Sequence, residues 1–170
     1  LTGENMKGYL NDMRICQDFA SYNRYNITRI ISKRLGLPIE LFNQSVHNYI
    51  EFKTNILRKG AVSAYGGDEL VIPLNMKDGT LYCRGKGNWQ WNYSAPHGAG
   101  RLMSRTKAKS VLSMNEFKET MKEIYTTSVV EDTLDEAPSA YKSINEIIEA
   151  VSETVTIIDI LKPIYNYKAH

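Results

Sequence analysis

Apolar residues recur at spacings of three and four across residues 6–35, and this pattern predicts one long amphipathic helix at the start of the chain. Gly36 and Pro38 follow as a stop signal, because glycine ends helices and proline cannot continue them. Residues 38–44 are consistent with a second, short helix. The N-terminal quarter of the chain is therefore predicted to be helical.

From residue 45 onward the hydrophobic period shortens to two. Alternation over residues 46–53 predicts a strand, and residues 69–73 and 80–84 predict two more, separated by turn-forming Gly and Asp-Gly pairs. Residues 154–168 are rich in β-branched and aromatic side chains and predict a closing strand, in which Pro163 favours an edge or a bend.

Two further helices are predicted from their first residues. Ser113 with Glu116, and Ser143 with Glu146, have the spacing of a capping box, and the helices that they open should extend to about Tyr125 and Ser152. Helices and strands are segregated rather than alternating, which predicts an α+β class with a mixed β-sheet and flanking helices. Residues 1–170 are predicted to form a single domain segment.

Composition excludes several classes of protein. The chain has 170 residues, 21 basic and 19 acidic, for a net charge of +2, so neither a strongly basic tail nor an acidic disordered segment is expected. No apolar run is long enough to span a membrane and no secretory signal is visible, which predicts a cytoplasmic protein without a membrane partner. Cys16 and Cys83, with no CxxC pair, are expected to be reduced and buried.

Residues 94–109, SAPHGAGRLMSRTKAK, combine three features of a phosphate site. Gly98 and Gly100 leave backbone N–H groups open to close approach. A helix starting at Leu102 would favour an anion at its N-terminus. Neither the P-loop pattern nor the dinucleotide-binding glycine pattern is matched, and a glycine-rich turn before a basic helix is commonly just a turn and a solvated face.

Basic side chains follow the glycines at helical spacing. Arg101 and Arg105 would share one helical face, with Lys109 a turn further on and His97 at the edge of the site. A single histidine of this kind is either a catalytic group or a hydrogen-bonded core residue. Trp89 and Trp91 could stack on a nucleobase, or form part of the core and of a strand edge.

The whole string SAPHGAGRLMSRTKAK closely resembles the signature of the RtcB family of RNA-splicing ligases. Further strings resemble the other motifs of that family, in the same order: GYLNDM at 8–13 with NR at 23–24, SVHNY at 45–49, RKGA at 58–61, DEAPSAYK at 135–142 and Lys168 near the end. One departure is Pro73-Leu74-Asn75-Met76, which stands where the family has PGSM. It puts the backbone contacts of that loop to the nucleotide in question.

The resemblance implies a ligase that uses GTP and manganese to join an RNA 3′-phosphate or 2′,3′-cyclic phosphate to a 5′-hydroxyl, in tRNA splicing or RNA repair. His97 would attack the α-phosphorus of GTP and carry GMP, and His47 would bind manganese. The implied nucleotide pocket comprises His47, Asn48, Pro73, Leu74, Asn75, Met76, Thr80, His97, Gly98, Ala99, Gly100, Tyr141 and Lys168. Arg101 and Arg105 would bind RNA phosphate or the GTP triphosphate.

Each implied role has a simpler alternative. Arg101 and Arg105 could be a solvated helix face, Tyr141 could be a packing residue, and Lys168 could lie in a frayed tail. The resemblance also implies that this chain corresponds to the C-terminal part of a family member. The N-terminal part of the same protein would then be required, because it supplies most of the manganese ligands. The alternative function is a catalytically inactive RNA-binding or regulatory relative.

Overall fold

The computed structural model describes residues 2–40 and 42–168 and confirms the predicted long helix. Helix α1 spans Gly3–Leu35 and ends at Gly36, whose φ of 66° lies in the left-handed region that glycine tolerates. The Gly36 N–H donates to the Ser32 carbonyl and closes the helix. α1 buries none of its side chains.

The predicted short helix over 38–44 is wrong: residues 37–40 and 42–47 form no helix or strand. Polar side chains of this segment bind neighbouring elements instead. The amide of Asn43 donates to the Glu69 carbonyl at 3.0 Å, and the Ser45 hydroxyl accepts from the Val71 N–H at 3.0 Å. These bonds hold the segment against the edge strand that contains Glu69 and Val71, and they outweigh the weak helical tendency of a segment too short to nucleate alone.

Two small antiparallel ladders follow. β1 (Asn48–Glu51) pairs with β2 (Ile56–Lys59), and β3 (Ala61–Ser63) pairs with β6 (Ser94–Pro96). β1 lies inside the strand predicted over 46–53 but is shorter, because residues 52–55 turn the chain back into β2. Only the Gly60 position separates β2 from β3, so the two ladders meet at that residue.

A three-stranded sheet contains β4 (Glu69–Asn75), β5 (Gly79–Gly85) and β7 (Val155–Leu161), which confirms the strands predicted at 69–73 and 80–84. The strands are antiparallel, in the order β4-β5-β7. β7 stops short of the predicted residue 168, and it ends before Pro163, which has no N–H to donate to a ladder. The segregated helices and strands confirm the α+β class.

Both predicted capping residues act as helix caps. The hydroxyl of Ser113 accepts from the Asn115 N–H at the start of α3 (Met114–Met121), and that of Ser143 accepts from the Glu146 N–H at the start of α4 (Ile144–Val151). α4 packs on the three-stranded sheet in one apolar core, and α3 packs in a second core that contains Met76, Phe117 and Leu134. The two cores fix the segments between them, which carry the candidate site.

The cysteines and tryptophans only partly follow expectation. Cys83 is buried, and burial raises the pKa of its thiol to about 11, whereas Cys16 is exposed on α1, so the prediction that both are buried is wrong. Both are free thiols, as predicted. Trp89 and Trp91 lie on a short 3-10 helix (Trp89–Trp91) and are 70% and 55% exposed, which excludes a core role. Of the helices in the described ranges, none is long and apolar enough to cross a membrane.

Candidate active site

The candidate site is centred on the bend at Gly60, where the two small ladders meet. Gly60 has a φ of +67°, and its N–H donates to the side-chain oxygen of Asn48 at 3.0 Å. The next N–H, of Ala61, donates to the His47 carbonyl at 3.4 Å. On the other ladder, β6 ends one residue before His97. The bend therefore brings His47 and Asn48 close to His97.

The imidazole of His97 is oriented by the backbone of this bend. Its Nδ1 lies 2.7 Å from the Gly60 carbonyl oxygen, and its backbone N–H donates to the same oxygen at 3.3 Å. Because a carbonyl can only accept, Nδ1 must carry the proton in this contact, and the neutral ring then keeps its lone pair on Nε2. His97 is exposed, so the alternative of a core histidine is wrong.

His47 stacks on His97, with 4.9 Å between ring centroids and 21° between ring planes. Burial, followed by the charges of His97 and Arg24, lowers the pKa of His47 and favours its neutral imidazole. A neutral imidazole is the form that binds a metal ion. Within residues 2–40 and 42–168, however, no three His, Cys, Asp or Glu side chains group as a metal site, so these residues do not complete one. His170 lies outside the described residues.

The Gly98–Ala99 backbone lies against the end of β4. The Ala99 N–H donates to the Pro73 carbonyl at 3.0 Å, and a Cβ on Gly98 would approach the same oxygen to 3.2 Å, so a glycine suits this close contact. Thr80 pairs with Pro73 across the β4–β5 ladder and therefore lies beside the same segment. The structure thus brings Pro73 and Thr80 to the glycine-rich turn.

The side chains of the other three residues of the Pro73–Met76 segment are buried or hydrogen-bonded within their own turn. Leu74 and Met76 are 4% and 3% exposed and belong to the two apolar cores. Asn75 is used by its own turn, since its side-chain oxygen accepts from the N–H groups of Lys77 and Asp78 at 2.9 and 2.8 Å. Any nucleotide contact from these three residues would have to come from the backbone.

Contrary to the sequence-based prediction, Arg101 and Arg105 do not lie on one helix. Helix α2 (Arg105–Val111) begins after Ser104, whose hydroxyl caps the helix by accepting from the Lys107 N–H, so the prediction of a helix from Leu102 is wrong. Arg101 precedes the helix and cannot share a helical face with Arg105. It forms an isolated β-bridge with Tyr141 instead, and its Nη1 donates to the Tyr141 hydroxyl at 3.0 Å.

The basic side chains form ion pairs with two carboxylates, those of Asp135 and Glu136. Arg105 Nη1 lies 2.9 Å from Asp135 Oδ2 and 2.9 Å from Glu136 Oε1, and Arg101 Nη1 lies 3.6 Å from Glu136 Oε1. Lys109 Nζ is 3.8 Å from the other oxygen of Asp135. The side chain of Arg105 is 70% exposed although its partners are nearly buried. It is anchored at one side and open to solvent at the other.

Glu136 also joins Tyr141 to Lys168. The Tyr141 hydroxyl donates to Glu136 Oε2 at 2.7 Å, and Lys168 Nζ lies 3.4 Å from the same oxygen. Burial, the hydrogen bond to Glu136 and the charge of Glu136 raise the pKa of Tyr141 to about 12. Burial alone would raise the pKa of Glu136, but the Tyr141 hydrogen bond and the Lys168 and Arg105 charges lower it overall. Since the Lys168 N–H also donates to Ser128, the frayed-tail alternative is wrong.

Four residues that organise this site received no role from the sequence. They are Arg58, Gly60, Asp135 and Glu136, and all four lie within the RKGA and DEAPSAYK strings. Those strings were a signal for their importance, but the partners that define their roles are distant in sequence: Glu136 contacts Arg101, Arg105 and Lys168.

An exposed histidine next to a glycine-rich turn and a cluster of cations is an arrangement chemically suited to phosphate groups, here on an α+β scaffold. Residues 1–169 match the family described as "tRNA-splicing ligase RtcB", and the chain belongs to this family. This confirms the resemblance seen in the motifs.

Individual relatives agree with this assignment. The RNA-splicing ligase RtcB of Escherichia coli strain K12 is 33% identical over 183 residues, covering 95% of this chain and 43% of that protein. The RNA-splicing ligase RtcB1 of another Escherichia coli strain matches at the same identity and coverage. The tRNA-splicing ligase RtcB of Nanoarchaeum equitans is 26% identical, covering 88% of this chain and 39% of that protein. The chain thus spans less than half the length of these relatives.

Proposed function

We propose that this chain carries the nucleotidyl-transfer half of a cytoplasmic, GTP- and manganese-dependent RNA ligase, which joins 3′-phosphate or 2′,3′-cyclic phosphate ends to 5′-hydroxyl ends. The observation that carries the proposal is the hydrogen bond between His97 Nδ1 and the Gly60 carbonyl at 2.7 Å. It leaves Nε2 with a lone pair on an exposed ring, which is the state that a histidine nucleophile needs.

In the proposed first step, Nε2 of His97 attacks the α-phosphorus of GTP. The Nε2–P bond forms, the bond from phosphorus to the bridging oxygen breaks, and pyrophosphate leaves. At a 2′,3′-cyclic end, water first breaks the bond from phosphorus to the 2′-oxygen and gives the 3′-phosphate. An oxygen of the RNA 3′-phosphate then attacks the GMP phosphorus and frees His97. Finally the 5′-hydroxyl attacks the RNA phosphate, and GMP leaves as the phosphodiester forms. Broken or spliced tRNA-like ends are the expected substrates.

The nucleotide pocket in this proposal is formed by the backbone of Gly98, Ala99 and Gly100, by Pro73 and Thr80 beside them, and by Asn48. Gly98 and Gly100 allow close approach of phosphate oxygens to N–H groups. Tyr141 and Lys168 would border the base. The contacts of Ala99 to Pro73 and of Lys142 to Gly100 support one continuous wall.

Arg101 and Arg105 would bind phosphate groups of RNA or of the triphosphate. A planar guanidinium matches phosphate oxygens with two parallel hydrogen bonds. The exposed 70% of the Arg105 side chain supports this role, because its carboxylate partners hold only one side of the group.

His47 would provide one manganese ligand, and the other ligands would come from the part of the relatives that this chain does not span. When bound, the ion would shield the charge of the triphosphate. We therefore expect the 170-residue chain alone to bind manganese weakly and to leave His97 unlabelled, and we expect the N-terminal part to restore both. Calorimetry with manganese and a GTP-labelling gel on the chain alone would contradict this if either gave a strong signal.

The central experiment maps the nucleotide on the full protein. After incubation with labelled GTP and manganese, we expect the label on the peptide that contains His97, stable to base and labile to acid as a phosphoramidate is. His97→Ala should abolish the label, and in the wild-type protein the peptide that contains His47 should carry none. Label on His47, or label that survives His97→Ala, would contradict the proposal.

A second candidate is a catalytically inactive RNA-binding or regulatory relative. One observation favours it. Asn75 lies where the sequence departs from the PGSM pattern, and its side-chain oxygen is hydrogen-bonded within its own turn instead of being open to a nucleotide. The same labelling experiment separates the two candidates. A protein that binds RNA but never forms the His97 adduct would support the second.

A further inference from the structure

The side chain of Arg58 is 1% exposed, yet it carries a full charge in the interior. It leaves β2 two residues before the bend at Gly60. Burying a cation is costly unless it is paired and hydrogen-bonded, so its partners show what it holds together.

One set of partners lies on the β1–β2 ladder. Nη1 of Arg58 donates to the Tyr49 hydroxyl at 3.0 Å and to Glu51 Oε2 at 3.1 Å. The rings of Tyr49 and Tyr65 flank the guanidinium, with centroids 5.5 and 5.6 Å from its carbon. Glu51 Oε2 also accepts from the Tyr65 hydroxyl at 2.8 Å. These contacts fix the guanidinium of Arg58 to the β1–β2 ladder, whose first strand begins one residue after His47.

The other set lies on the approach to His97. Nε of Arg58 donates to the Ser94 hydroxyl at 2.9 Å, and Nη2 donates to the carbonyls of Asn92 and Tyr93 at 3.4 and 3.3 Å. These residues precede or begin β6, which ends one residue before His97. A single guanidinium therefore joins the two ladders on both sides of the Gly60 bend.

We propose that Arg58 is a positioning residue for the reaction: by bracing the bend at Gly60, it holds the Gly60 carbonyl at the distance that fixes the His97 imidazole and directs Nε2 outward. All its donors are used inside the fold, so Arg58 does not bind the RNA or the nucleotide itself. This inference rests on the proposed role of His97 as nucleophile. A shift of about 1 Å in a reacting group can reduce a rate by about 100-fold.

The test replaces Arg58 by lysine, which keeps the charge but loses the planar fork. In the full protein at saturating GTP, we expect Arg58→Lys to slow labelling of His97 by about 100-fold with little change in KM for GTP. Arg84→Lys is the matched control, because Arg84 forms a surface pair with Glu69 at 3.5 Å and is 57% exposed. It should label at the wild-type rate.

A spectroscopic measurement separates positioning from general stability. With ¹⁵N-labelled histidine, wild-type His97 should show a hydrogen-bonded Nδ1–H signal, assigned by its loss in His97→Ala. Arg58→Lys should weaken or shift this signal well below its unfolding temperature, and Arg84→Lys should not. A lower unfolding temperature with an unchanged signal and an unchanged labelling rate would overturn the inference.

If Arg58→Lys does not fold, a less disruptive variant, Ser94→Ala, tests the positioning role of Arg58. Ser94→Ala removes the Nε contact across the two ladders together with the bond from the Ser94 hydroxyl to the nearby Asn92 carbonyl, and it leaves the Nη1 and Nη2 contacts of Arg58 in place. We expect a smaller reduction in labelling rate and a smaller change of the Nδ1–H signal. Wild-type values for both would overturn the inference. If the wild-type protein itself is not labelled, the proposed function fails, whereas the Nδ1–H signal still tests the bracing of His97.

Discussion

The two ends of the candidate site are organised by buried charges of opposite sign. At the histidine end, the buried cation Arg58 is surrounded by one carboxylate and several neutral acceptors, and its donors point inward. At the other end, the carboxylates of Asp135 and Glu136 are buried, and the cations around them reach solvent. In the first arrangement, the hydrogen-bond donors of Arg58 are all used within the fold, so this cation stabilises the structure.

The second arrangement exposes cationic side chains to solvent. Arg105, Lys109 and Lys168 have 70%, 48% and 40% of their side chains exposed, whereas Asp135 has 6%. Four cations surround two carboxylates, which leaves an excess of positive charge facing outward. The difference teaches that two arginines from the family motifs can differ in environment: the guanidinium of Arg58 is covered and saturated, whereas that of Arg105 is exposed to solvent.

The largest expected effect comes from removing the buried cation. Arg58→Met should reduce the free energy of unfolding by about 3–5 kcal/mol, because it removes the cation that pairs with Glu51 and the bonds that join the two ladders. Urea unfolding measures this loss. Arg84→Met, at an exposed pair, should cost about 0–1 kcal/mol. Equal losses in the two variants would show that burial does not distinguish them.

Removing the carboxylate at the other end should cost less. Glu136→Gln is expected to destabilise by about 1.5–3 kcal/mol, since it weakens charge-assisted bonds to Tyr141, Arg105 and Lys168. Because the folded pKa of Glu136 is lowered, its stabilisation is present above the unfolded pKa and is lost as pH falls through the folded value. Unfolding measured from neutral to acidic pH should show the two proteins converging only below the ordinary glutamate pKa, and a constant difference would contradict this.

Arg105→Ala should separate ligand binding from folding. We expect RNA affinity to fall by about 1.5–3 kcal/mol, the range for hydrogen bonds to charged groups, while stability changes by about 0–1 kcal/mol. Arg105→Lys should restore binding only in part, because lysine lacks the planar fork. Lys107→Ala, an exposed change on the same helix, is the control. Normal RNA binding and ligation by Arg105→Ala would mean that this face is merely solvated.

The smallest expected effect concerns the Tyr141 hydroxyl. Tyr141→Phe should cost about 1 kcal/mol, the typical value of one hydrogen bond. Since the pKa of Tyr141 is raised to about 12, its stabilisation is fully present below the ordinary tyrosine pKa and is lost as pH rises through 12. The difference in phenolate absorbance between the wild type and Tyr141→Phe should therefore develop near pH 12, and a midpoint near pH 10 would contradict the buried bond to Glu136.

Locally determined features could be predicted from the sequence. The long helix, the strands β4 and β5 and the caps at Ser113 and Ser143 depend on periodicity and on neighbours a few residues away. The short helix expected over 38–44 is wrong because Asn43 and Ser45 bind a strand that lies about 26 residues further along.

The organisation of the site could not be predicted in this way. The motifs identified His97, Arg101 and Arg105, but the contacts of Glu136 to Arg101, Arg105 and Lys168 join segments that are distant along the chain. Likewise, nothing local to Arg58 indicates that Ser94 will accept its hydrogen bond across 36 positions. Pairings of this kind depend on tertiary structure, about which periodicity and capping signals give no information.

The unequal exposure of the two cysteines offers a practical way to observe the site. Cys16 is exposed on α1, whereas Cys83 is buried with its thiol pKa raised to about 11. Cys16 also lines a groove of about 520 Å³ that contains His47 and Asn48. A thiol-reactive fluorophore added at neutral pH should therefore attach at one position within the described chain, next to the site. Its emission would report the filling of that groove in real time, without altering any residue of the proposed chemistry.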